Sequence, residues 1–588
     1  MRYHLLKPTN PNYSVLEQIL TNRGIERKDI EHYLHTTDDD INSPLSLGED
    51  NLRRAAAALV AAIQAQKNAL VIVDCDCDGF TSASVLINYL HDVFPSWVEN
   101  HLTYFLHGEK KHGLEDCLDK ALEAGLVLVP DAGSNDAAQQ QKLAEAGIPV
   151  IILDHHEVDI PLDTIPAILI NNQSSAYPNK HLSGAGVTWQ FCRYLDSQLG
   201  ANHADKYIDL VALGLVADMM SQTEIETKHL ILKGLEDANI SNPFIRTMVA
   251  KNSFSIGPKL TPIGAAFYIA PFVNAMVRSG ELDEKELLFS SMLNYKAFEK
   301  IPSQKRGHAP GEMATLVSEA VRVASNVKSR QTKAQDFSME TLEKKIEKEN
   351  LLQHQVLLFL MKPGQIDKNI AGLCGNKIMA KYQRPCCVLT KISDEKGTRY
   401  EGSARGCDLA GVLNFKDICE QTQCVNWATG HQGAFGLSLP EDKVEDFLKA
   451  TDELLKDMST EPLYYVDYIY ENSNFNGDDI LQIASLEGLW GKDMPEALVA
   501  LHNIKITTDM VTVYSKKNLT LKITLPNGVN LMLFNAPEDL CARLQDTSAA
   551  AYLMDVVGKC RANEWYGNVT PQIFIEDYNI KISMTYDF

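Results

Sequence analysis

Three carboxylates follow one apolar run of the chain. Asp74, Asp76 and Asp78 occupy alternate positions after residues 69–73 and stand just before Gly79. A helix is predicted to follow over residues 81–90. Carboxylates this close repel one another unless a cation lies among them, and oxygen ligands suit a hard divalent ion such as Mg²⁺ or Mn²⁺. The alternative is an acidic turn that caps the next helix, because Asp is favoured at helix starts. Three acids in alternation favour the metal over the cap.

Polar groups also end the next apolar runs. Asp131 follows residues 126–129, and the pair His155 and His156 follows residues 149–153 with Asp154 before it. Apolar strands that alternate with helices predict a parallel sheet covered on both faces. The carboxyl ends of such strands meet at one edge, where open α/β sheets hold their ligands. We therefore expect these groups to converge.

An acid also closes the apolar helix predicted over residues 207–218. Asp218 stands at its carboxyl end, where the helix dipole disfavours a negative charge, so a nearby cation would compensate. The assembled set suits two divalent ions roughly 3.5–4 Å apart that activate water for phosphoryl displacement. It contains Asp76, Asp78, Asp131, His155, His156 and Asp218.

The members of this set are expected to differ in role. Asp131 is the candidate bridging ligand, because it stands alone on the middle strand. Adjacent side chains of an extended chain point to opposite faces, so one histidine ligates metal while the other contacts the phosphate or donates a proton to the leaving oxygen. Asp154 is expected to orient an imidazole. Asp74 is expected to support the metal ligands without binding an ion itself.

Periodicity along the chain predicts five regions. The last is predicted to be a small β-barrel, a fold that often carries single strands on aromatic and basic side chains. The five are a helical leader (1–65), an α/β domain (66–310), a connecting helix (311–350), a second, smaller α/β domain (351–460) and the β region (461–588).

Composition restricts the class of protein. The net charge of -22 argues against a protein that coats nucleic acid with its whole surface, but it allows an enzyme whose basic groups line one channel. The chain has no apolar run long enough to span a membrane, and its 12 cysteines form no Cys-x-x-Cys pair. We expect a cytoplasmic protein without structural zinc and without membrane attachment.

The motifs carry a resemblance that spans nearly the whole chain. Those at 76–79, 131–133, 154–156 and 217–218 resemble, in order, the four motifs of the DHH phosphoesterase superfamily. The stretch 430–436 is similar to the glycine-rich motif of the associated DHHA1 domain. Within the superfamily the chain resembles the RecJ family of single-strand-specific 5′→3′ DNA exonucleases, whose C-terminal region is an OB-fold.

The resemblance implies a role for each matched residue. Two Mn²⁺ or Mg²⁺ ions would be held by Asp76, Asp78, Asp131, His155 and Asp218, with His156 at the scissile phosphate. Arg278, Ser403 and Arg405 would take the 5′-terminal phosphate, with Asn274 and His431 near the strand. Such an anchor would set which bond reaches the metals and impose the polarity of digestion.

The chain departs from the family pattern at three places. His107, Lys110 or Lys111 stands in for an arginine that usually contacts the 5′ end, Lys228 replaces another arginine, and the DHHA1-like motif begins with Thr429. None of these is a predicted metal ligand. They bear on substrate preference, including the need for a 5′-phosphate, rather than on catalysis.

The leading hypothesis is a two-metal exonuclease of single-stranded DNA that acts in recombination and repair. We expect a monomer that a helicase or single-strand-binding protein supplies with substrate. Two alternatives stay open: a DHH phosphodiesterase of short oligonucleotides or cyclic dinucleotides, and a non-catalytic DHH-type replication scaffold. The length of the chain weighs against the first, and its intact ligand set weighs against the second.

Overall fold

The computed structural model describes residues 1–588 except 109–110, 306, 308, 310, 396, 474, 516–517, 547–550 and 585–588. Lys110, one of the candidates for the 5′ end, therefore lies outside the described residues. No helix in the described part combines the length and apolar character that a bilayer crossing requires.

The chain forms two compact units, and neither is one continuous stretch. The first unit contains Arg23–Ser329 and Leu486–Glu496. The second unit contains Met1–Asn22, Arg330–Ser485 and Ala497–Phe588. Each unit therefore takes up a segment that is distant from the rest of it in sequence.

The N-terminal residues are helical, as expected, except at their start. Residues 2–5 form a strand that pairs in parallel with Leu463–Val466, so that Arg2 lies opposite Leu463. Four residues of alternating exposure are too short for periodicity to distinguish from a loop. The elements are β1 (Arg2–Leu5), α1 (Val15–Asn22), α2 (Ile30–Leu34) and α3 (Glu49–Gln64).

A five-stranded parallel sheet forms the centre of the first unit, as predicted. Its elements are β2 (Ala69–Val73), α4 (Cys77–Val93), α5 (Pro95–His101), β3 (Leu102–Leu106), α6 (Leu118–Ala121), β4 (Leu126–Pro130), α7 (Ala137–Glu145), β5 (Val150–Asp154) and β6 (Ile168–Asn171). The strand order is β3-β2-β4-β5-β6, which makes β4 the middle strand. Strands β2, β4 and β5 are buried throughout, with apolar clusters on both faces.

Helix α4 begins earlier than the predicted start at Thr81. It starts at Cys77, so Asp76 is its N-cap and Asp78 lies in its first turn. The Asp76 carboxylate accepts a hydrogen bond from the Gly79 N–H at 2.9 Å. Asp76 is therefore the helix cap of one interpretation and the candidate metal ligand of the other. The three acids do not alternate along an extended strand, because the helix turns Asp78 back towards the sheet edge.

Helices continue the first unit and lead into the second. They include α8 and α9, which pack against α4 beside the sheet edge, and the long connecting helix that the sequence predicts. The elements are α8 (Gly184–Leu199), α9 (Ile208–Ala217), α10 (Ile225–Leu235), α11 (Pro243–Lys251), α12 (Ser253–Ile256), α13 (Pro262–Tyr268), α14 (Ala270–Ser279), α15 (Leu282–Met292), β7 (Lys300–Pro302), β8 (Met313–Thr315) and α16 (Leu316–Lys348).

The second unit contains the smaller α/β fold. Its sheet has the order β12-β13-β11-β10-β9; β9 and β10 are parallel and the other pairs are antiparallel. The elements are β9 (Leu357–Met361), α17 (Ala371–Tyr382), β10 (Cys386–Asp394), β11 (Gly397–Arg405), α18 (Phe415–Gln421), β12 (Trp427–His431), β13 (Ala434–Pro440) and α19 (Val444–Leu454).

The rest of the second unit is mostly β. One sheet has the order β15-β16-β20-β21-β19-β18-β17, in which β19 and β21 are parallel. The elements are β14 (Leu463–Val466), β15 (Tyr468–Glu471), α20 (Gly477–Ser485), β16 (Leu498–Ile506), β17 (Val511–Ser515), β18 (Leu519–Thr524), β19 (Asn530–Phe534), α21 (Glu538–Gln545), β20 (Ala551–Trp565) and β21 (Asn568–Met584). The predicted fold class, α/β with a C-terminal β region, is confirmed.

Candidate metal centre

The start of helix α8 fixes the carboxylate of Asp78. The Ser183 hydroxyl donates to Asp78 Oδ1 at 2.9 Å, and the Gly184 N–H donates to Oδ2 at 2.7 Å. A helix N-terminus favours a negative charge, and these bonds fix the orientation of the Asp78 carboxyl group. Gly214 of α9 lies against the same carboxylate, and a Cβ there would collide with Oδ1. Asp78 is thus enclosed and oriented from two helices.

Asp131 follows β4 in a conformation that few side chains adopt. Its φ is 66°, and it is almost wholly buried. A Cβ on Gly184 would collide with its carboxylate, so α8 approaches it closely only because that residue is glycine. A non-glycine residue in the left-handed region is uncommon, and such strain is concentrated at functional sites.

One imidazole nitrogen lies among three of the predicted carboxylates. His155 Nε2 is 3.3 Å from Asp131 Oδ1, 3.4 Å from Asp218 Oδ2 and 4.0 Å from Asp78 Oδ2. Octahedral ligands bonded roughly 2.1 Å from an ion lie about 3 Å from one another. The spacing therefore approaches that of atoms that share a cation.

Asp131 also belongs to a second group of ligand atoms. Oxygens of Asp74, Asp76 and Asp131 lie within 4.8 Å of one another, whereas another such group consists of Asp78, His155 and Asp218. Asp131 thus stands next to both groups, which is the position that a bridging ligand requires. The six groups that the sequence selected come together at one edge of the sheet, and Asp74 lies with them.

The electrostatics of the centre favour a cation. Burial, followed by repulsion from Asp78 and Asp76, raises the pKa of Asp131 well above its usual range. Burial raises the pKa of Asp78 as well, and burial together with the same kind of repulsion raises the pKa of Asp218 to about 8. Crowded buried carboxyls hold protons unless a cation compensates them. The donor set therefore fits hard divalent ions.

The two histidines differ in environment, as the alternation of side chains predicts. His156 Nδ1 lies 2.7 Å from Asp154 Oδ1, and this hydrogen bond, against burial, raises the pKa of His156 to about 9. Burial lowers the pKa of His155. His155 is thus neutral near pH 7, as a metal ligand must be, whereas the half-exposed His156 ring carries a proton.

Backbone N–H groups fix the carboxylate of Asp154. Its carboxylate accepts N–H bonds from His155 at 2.7 Å and from Ser134 at 3.1 Å. Burial raises the pKa of Asp154, but the hydrogen bond and charge of His156 outweigh it and hold that pKa below the usual range. An ionised Asp154 fixes the ring of His156, which is the orienting role expected for it.

Two histidines of the segment after β3 behave differently from the sequence expectation. His107, considered for the 5′ end, is buried with Nδ1 at 2.6 Å from Asp116, and it exposes no ring surface. His112 instead reaches the centre, where its Nδ1 lies 2.7 Å from Asp74 Oδ2. The sequence marked this segment as unusual, but it gave no means of ranking the two rings. Ser183 was also missed, although a Ser-Gly-Ala-Gly helix start was visible.

Three of the predicted strand-binding residues share one end of the sheet in the second unit. Ser403 and Arg405 lie two residues apart on β11, and Ala434 pairs with both Arg405 and His431. Arg405 Nε donates to Asn376 Oδ1 at 2.8 Å. The first turn of α17 is adjacent, because a Cβ on Gly372 would collide with the Arg405 guanidinium.

The remaining predicted contacts lie in the first unit. Asn274 and Arg278 stand one turn apart on α14 and are half-buried. Lys228, noted as an arginine replacement, is wholly buried, and its ammonium donates to the backbone oxygen of Tyr33. That lysine is a core residue and presents no charge to a ligand.

Two family models match parts of this chain. The N-terminal domain of the DHH family matches residues 68–215, and the RecJ OB domain matches residues 466–577. The first range contains the sheet and every predicted metal ligand except Asp218. The second covers most of the β region.

Curated relatives match over most of their length. YorK, an SPbeta prophage-derived protein of Bacillus subtilis provisionally named a single-strand DNA-specific exonuclease, is 30% identical over 100% of this chain and 99% of its own. The single-stranded-DNA-specific exonuclease RecJ of Escherichia coli is 23% identical over 90% of each chain.

Solved structures share the fold. RecJ of Thermus thermophilus in complex with Mn²⁺ aligns with a TM-score of 0.68 at 19% identity, over 99% of this chain and 80% of that one. The same protein in complex with Mg²⁺ aligns with a TM-score of 0.62 at 18% identity, over 98% and 78%. At this identity the likeness establishes the architecture, and the chemistry has to be argued from the residues.

Proposed function

The chain belongs to the RecJ family of DHH-type exonucleases, and from that membership we propose that it hydrolyses single-stranded DNA from the 5′ end. The observation that carries the proposal is the position of His155 Nε2 among the carboxylates of Asp78, Asp131 and Asp218. Donors from the start of α8 meet Asp78, but among the described residues the buried Asp131 Oδ1 has no hydrogen-bond partner. A divalent cation would satisfy that oxygen.

The proposed metal ligands are the five residues expected from the sequence. Asp76, Asp78, Asp131, His155 and Asp218 would hold two Mn²⁺ or Mg²⁺ ions, with Asp131 shared between them. Bound ions would supply Lewis acidity and a water of lowered pKa for in-line attack on a phosphodiester. The relatives solved with Mn²⁺ and with Mg²⁺ support both metals as candidates.

His156 is the proposed proton carrier. Its Nδ1 is engaged by Asp154, which leaves Nε2 as the atom to contact the scissile phosphate or the leaving oxygen. With a pKa raised to about 9, the ring is a cation at neutral pH and can neutralise charge that develops on the phosphoryl group. Asp74 and Asp154 act through these groups rather than on the substrate.

The 5′-terminal phosphate is assigned to Ser403 and Arg405, with His431, Asn274 and Arg278 as further contacts to the strand. Arginine clamps a phosphate through paired donors, and an anchored end sets the bond that is cut. His107 is omitted, because its ring is buried against Asp116.

Arg405→Ala tests the anchor. We expect the preference for a 5′-phosphate over a 5′-hydroxyl end to fall by about tenfold or more, since a charge-assisted hydrogen bond contributes roughly 1.5–3 kcal/mol. The measurement is kcat/KM for the two ends. Arg399→Ala is the matched control: it lies on the same strand, but Asp394 and Glu401 engage its guanidinium at 2.8 and 2.6 Å. An unchanged preference in Arg405→Ala would refute the assignment.

The setting of the enzyme is part of the proposal. Acting in recombination and repair, it would work in the cytoplasm as a monomer on strands that a helicase or single-strand-binding protein delivers. The net charge of -22 supports the need for such a partner, because the surface as a whole repels DNA. The native molar mass of the protein alone tests whether it is a monomer. The mass measured with a single-strand-binding protein tests whether the two proteins associate.

One assay separates the candidate functions. Single strands labelled at either the 5′ or the 3′ end are incubated with Mn²⁺, with Mg²⁺ and with chelator. Mononucleotides released first from the 5′ label support the proposal. Activity confined to dinucleotides supports a short-oligonucleotide phosphodiesterase, and absence of metal-dependent hydrolysis supports a scaffold.

A further inference from the structure

One face of the smaller sheet in the second unit carries side chains in rows across three strands. Directly opposite residues of antiparallel strands point to the same face, as do alternate residues along one strand. The register places on this face the rows His431, Ala434 and Arg405; Thr429, Gly436 and Ser403; and Trp427, Ser438 and Glu401. The three strand-binding residues proposed for this unit therefore share a face with Trp427, to which no role has been assigned.

The indole of Trp427 lies beside Ser403. Trp427 belongs to β12, the strand at the edge of the sheet, and is 42% exposed. Its six-membered ring extends along the face to Gly436, where a Cβ would lie 3.2 Å from Cζ3 and 3.7 Å from Cη2. Gly436 is directly opposite Ser403, and adjacent strands lie about 4.8 Å apart. The ring is thus about one strand away from a residue assigned to the 5′-terminal phosphate.

The core of this domain does not account for the tryptophan. Phe435 and Leu437 of β13 point to the opposite face, where both are buried together with Ala404 of β11. Tryptophan is mostly buried in folded proteins, so an indole on the open face keeps apolar surface in water. Single exposed aromatic side chains are common, and the position beside Ser403 is what distinguishes this one.

The packing around Arg405 sets the direction in which a bound ligand extends. On one side, α17 approaches so closely that a Cβ on Gly372 would collide with the guanidinium. On the other side, the side chain opposite Arg405 is the exposed Ala434, and Gly436 follows in the next row. A group held by Arg405 therefore has room to extend over small residues towards Trp427.

Charge changes along the face in the same direction. Arg405 carries a positive charge at one end, with the exposed His431 in the same row. At the other end Glu401 shares the row of Trp427, but its carboxylate accepts a hydrogen bond from Arg399 Nε at 2.6 Å, which compensates its charge. An anion is therefore favoured near Arg405 and a flat, neutral group near Trp427. A nucleotide that places its phosphate at the first and its base at the second has this polarity.

Resting on the proposed function, we infer that Trp427 stacks against the base of the 5′-terminal nucleotide while Ser403 and Arg405 hold its phosphate. Stacking on an aromatic ring accepts any base, because every base has a π face, so the subsite imposes no strict sequence requirement. The end of a strand is then recognised by two features, the phosphate and the base. Trp427 is thereby a specificity-determining residue for that end.

Removal of the terminal base tests the subsite. Single strands with a 5′-phosphate carry tetrahydrofuran in place of either the first nucleotide or an internal one, and the Kd of the full chain for each is measured in chelator. In the wild type, loss of the first base should weaken binding by about 5–100-fold, the range for one stacked base. The intact strand is the reference for every variant.

Trp427→Ala is the informative variant. Intact and first-position abasic strands should bind to it equally, whereas the effect of the internal abasic residue should stay as in the wild type. Trp427→Phe should keep part of the first-position penalty, because a smaller ring still stacks. Trp565→Ala is the matched control: Trp565 on β20 of the same unit is 69% exposed, and its removal should leave the first-position penalty unchanged. The Tm of each variant reports whether it is folded.

The contrary outcomes are distinct. A first-position penalty that persists in folded Trp427→Ala, or a wild type that digests from the 5′ end without such a penalty, overturns the subsite and leaves the exonuclease standing. If Trp427→Ala removes only the internal penalty, the indole contacts another nucleotide and the terminal assignment is wrong. A wild type that neither binds the intact strand nor cuts it from the 5′ end overturns the proposed function and the subsite together.

Discussion

Two of the places where the first unit buries acids differ in what surrounds the carboxylate oxygens. Glu226 on α10 is 3% exposed, and donors satisfy it: the Tyr177 hydroxyl at 2.6 Å and the N–H and side-chain amide of Asn42 at 2.9 and 2.8 Å. At the metal centre, the carboxyls of Asp131 and Asp218 face other acids and the neutral ring of His155. The carboxylate of Glu226 is satisfied within the protein, whereas the proposed metal centre would be completed by a cation.

The contrast shows that burial of an acid is a weak sign of function. The informative feature is whether hydrogen-bond donors meet the buried oxygens, because an unmet buried acceptor is costly. Asp218 and Glu226 lie eight residues apart, on either side of one turn, and composition does not separate them. Their partners do.

The largest expected effect separates the two sites by metal dependence. Asp131→Asn should reduce single-strand hydrolysis by about 1000-fold or more, because it removes the carboxylate proposed to bridge both ions. It should also abolish the rise in Tm that Mn²⁺ gives the wild type, an effect worth roughly 2.7 kcal/mol at 100 times Kd. Glu226→Gln should retain the Mn²⁺-dependent rise. If Mn²⁺ raised the Tm of both variants equally, the two sites would not differ in metal dependence.

The next effect is a difference in sign. In chelator at pH 8, Asp131→Asn should raise the free energy of unfolding by about 1–2 kcal/mol, because without a cation the native Asp131 carboxyl must take up a proton at a pH where the unfolded chain is ionised, and the amide carries no such cost. Glu226→Gln should lower it by about 1–3 kcal/mol, since the new amide group faces existing donors. Urea unfolding of both variants beside the wild type measures the pair. Two changes of the same sign would show that the acids at the centre are already compensated.

The most gradual effect, spread over about three pH units, concerns a buried base. Burial lowers the pKa of Lys228 from 10.5 to about 8. Between these values the unfolded chain binds a proton that the native chain lacks, so the stability of the wild type should rise with pH through this window. Relative to Lys228→Met, the gain between pH 7.5 and 10.5 should be about 3 kcal/mol. A constant difference across that window would mean that the ammonium is compensated in the core.

Local patterns predicted much of the fold and most of the centre. The buried strands of the first sheet, the connecting helix and the six converging groups follow from apolar runs and from the position of polar residues at their ends. The start of α4 was predicted four residues late, because Asp78 and Gly79 look like a loop until Asp76 is known to cap them.

Other features depend on contacts between distant segments. The pairing of β1 with β14, the return of Leu486–Glu496 to the first unit and the choice of His112 over His107 are each set by tertiary packing. No periodic pattern within any one of these segments encodes such contacts.

The discontinuity of the two units has a consequence for synthesis on the ribosome. Strand β1 is translated about 460 residues before β14, which at roughly 5–20 residues per second means a delay of about 20–90 s. Residues 23–329 likewise wait for Leu486–Glu496. The nascent first unit therefore spends part of its synthesis without the segment that carries the buried Trp490. The apolar surface that this side chain covers stays exposed during that interval, and such surface is what chaperones bind.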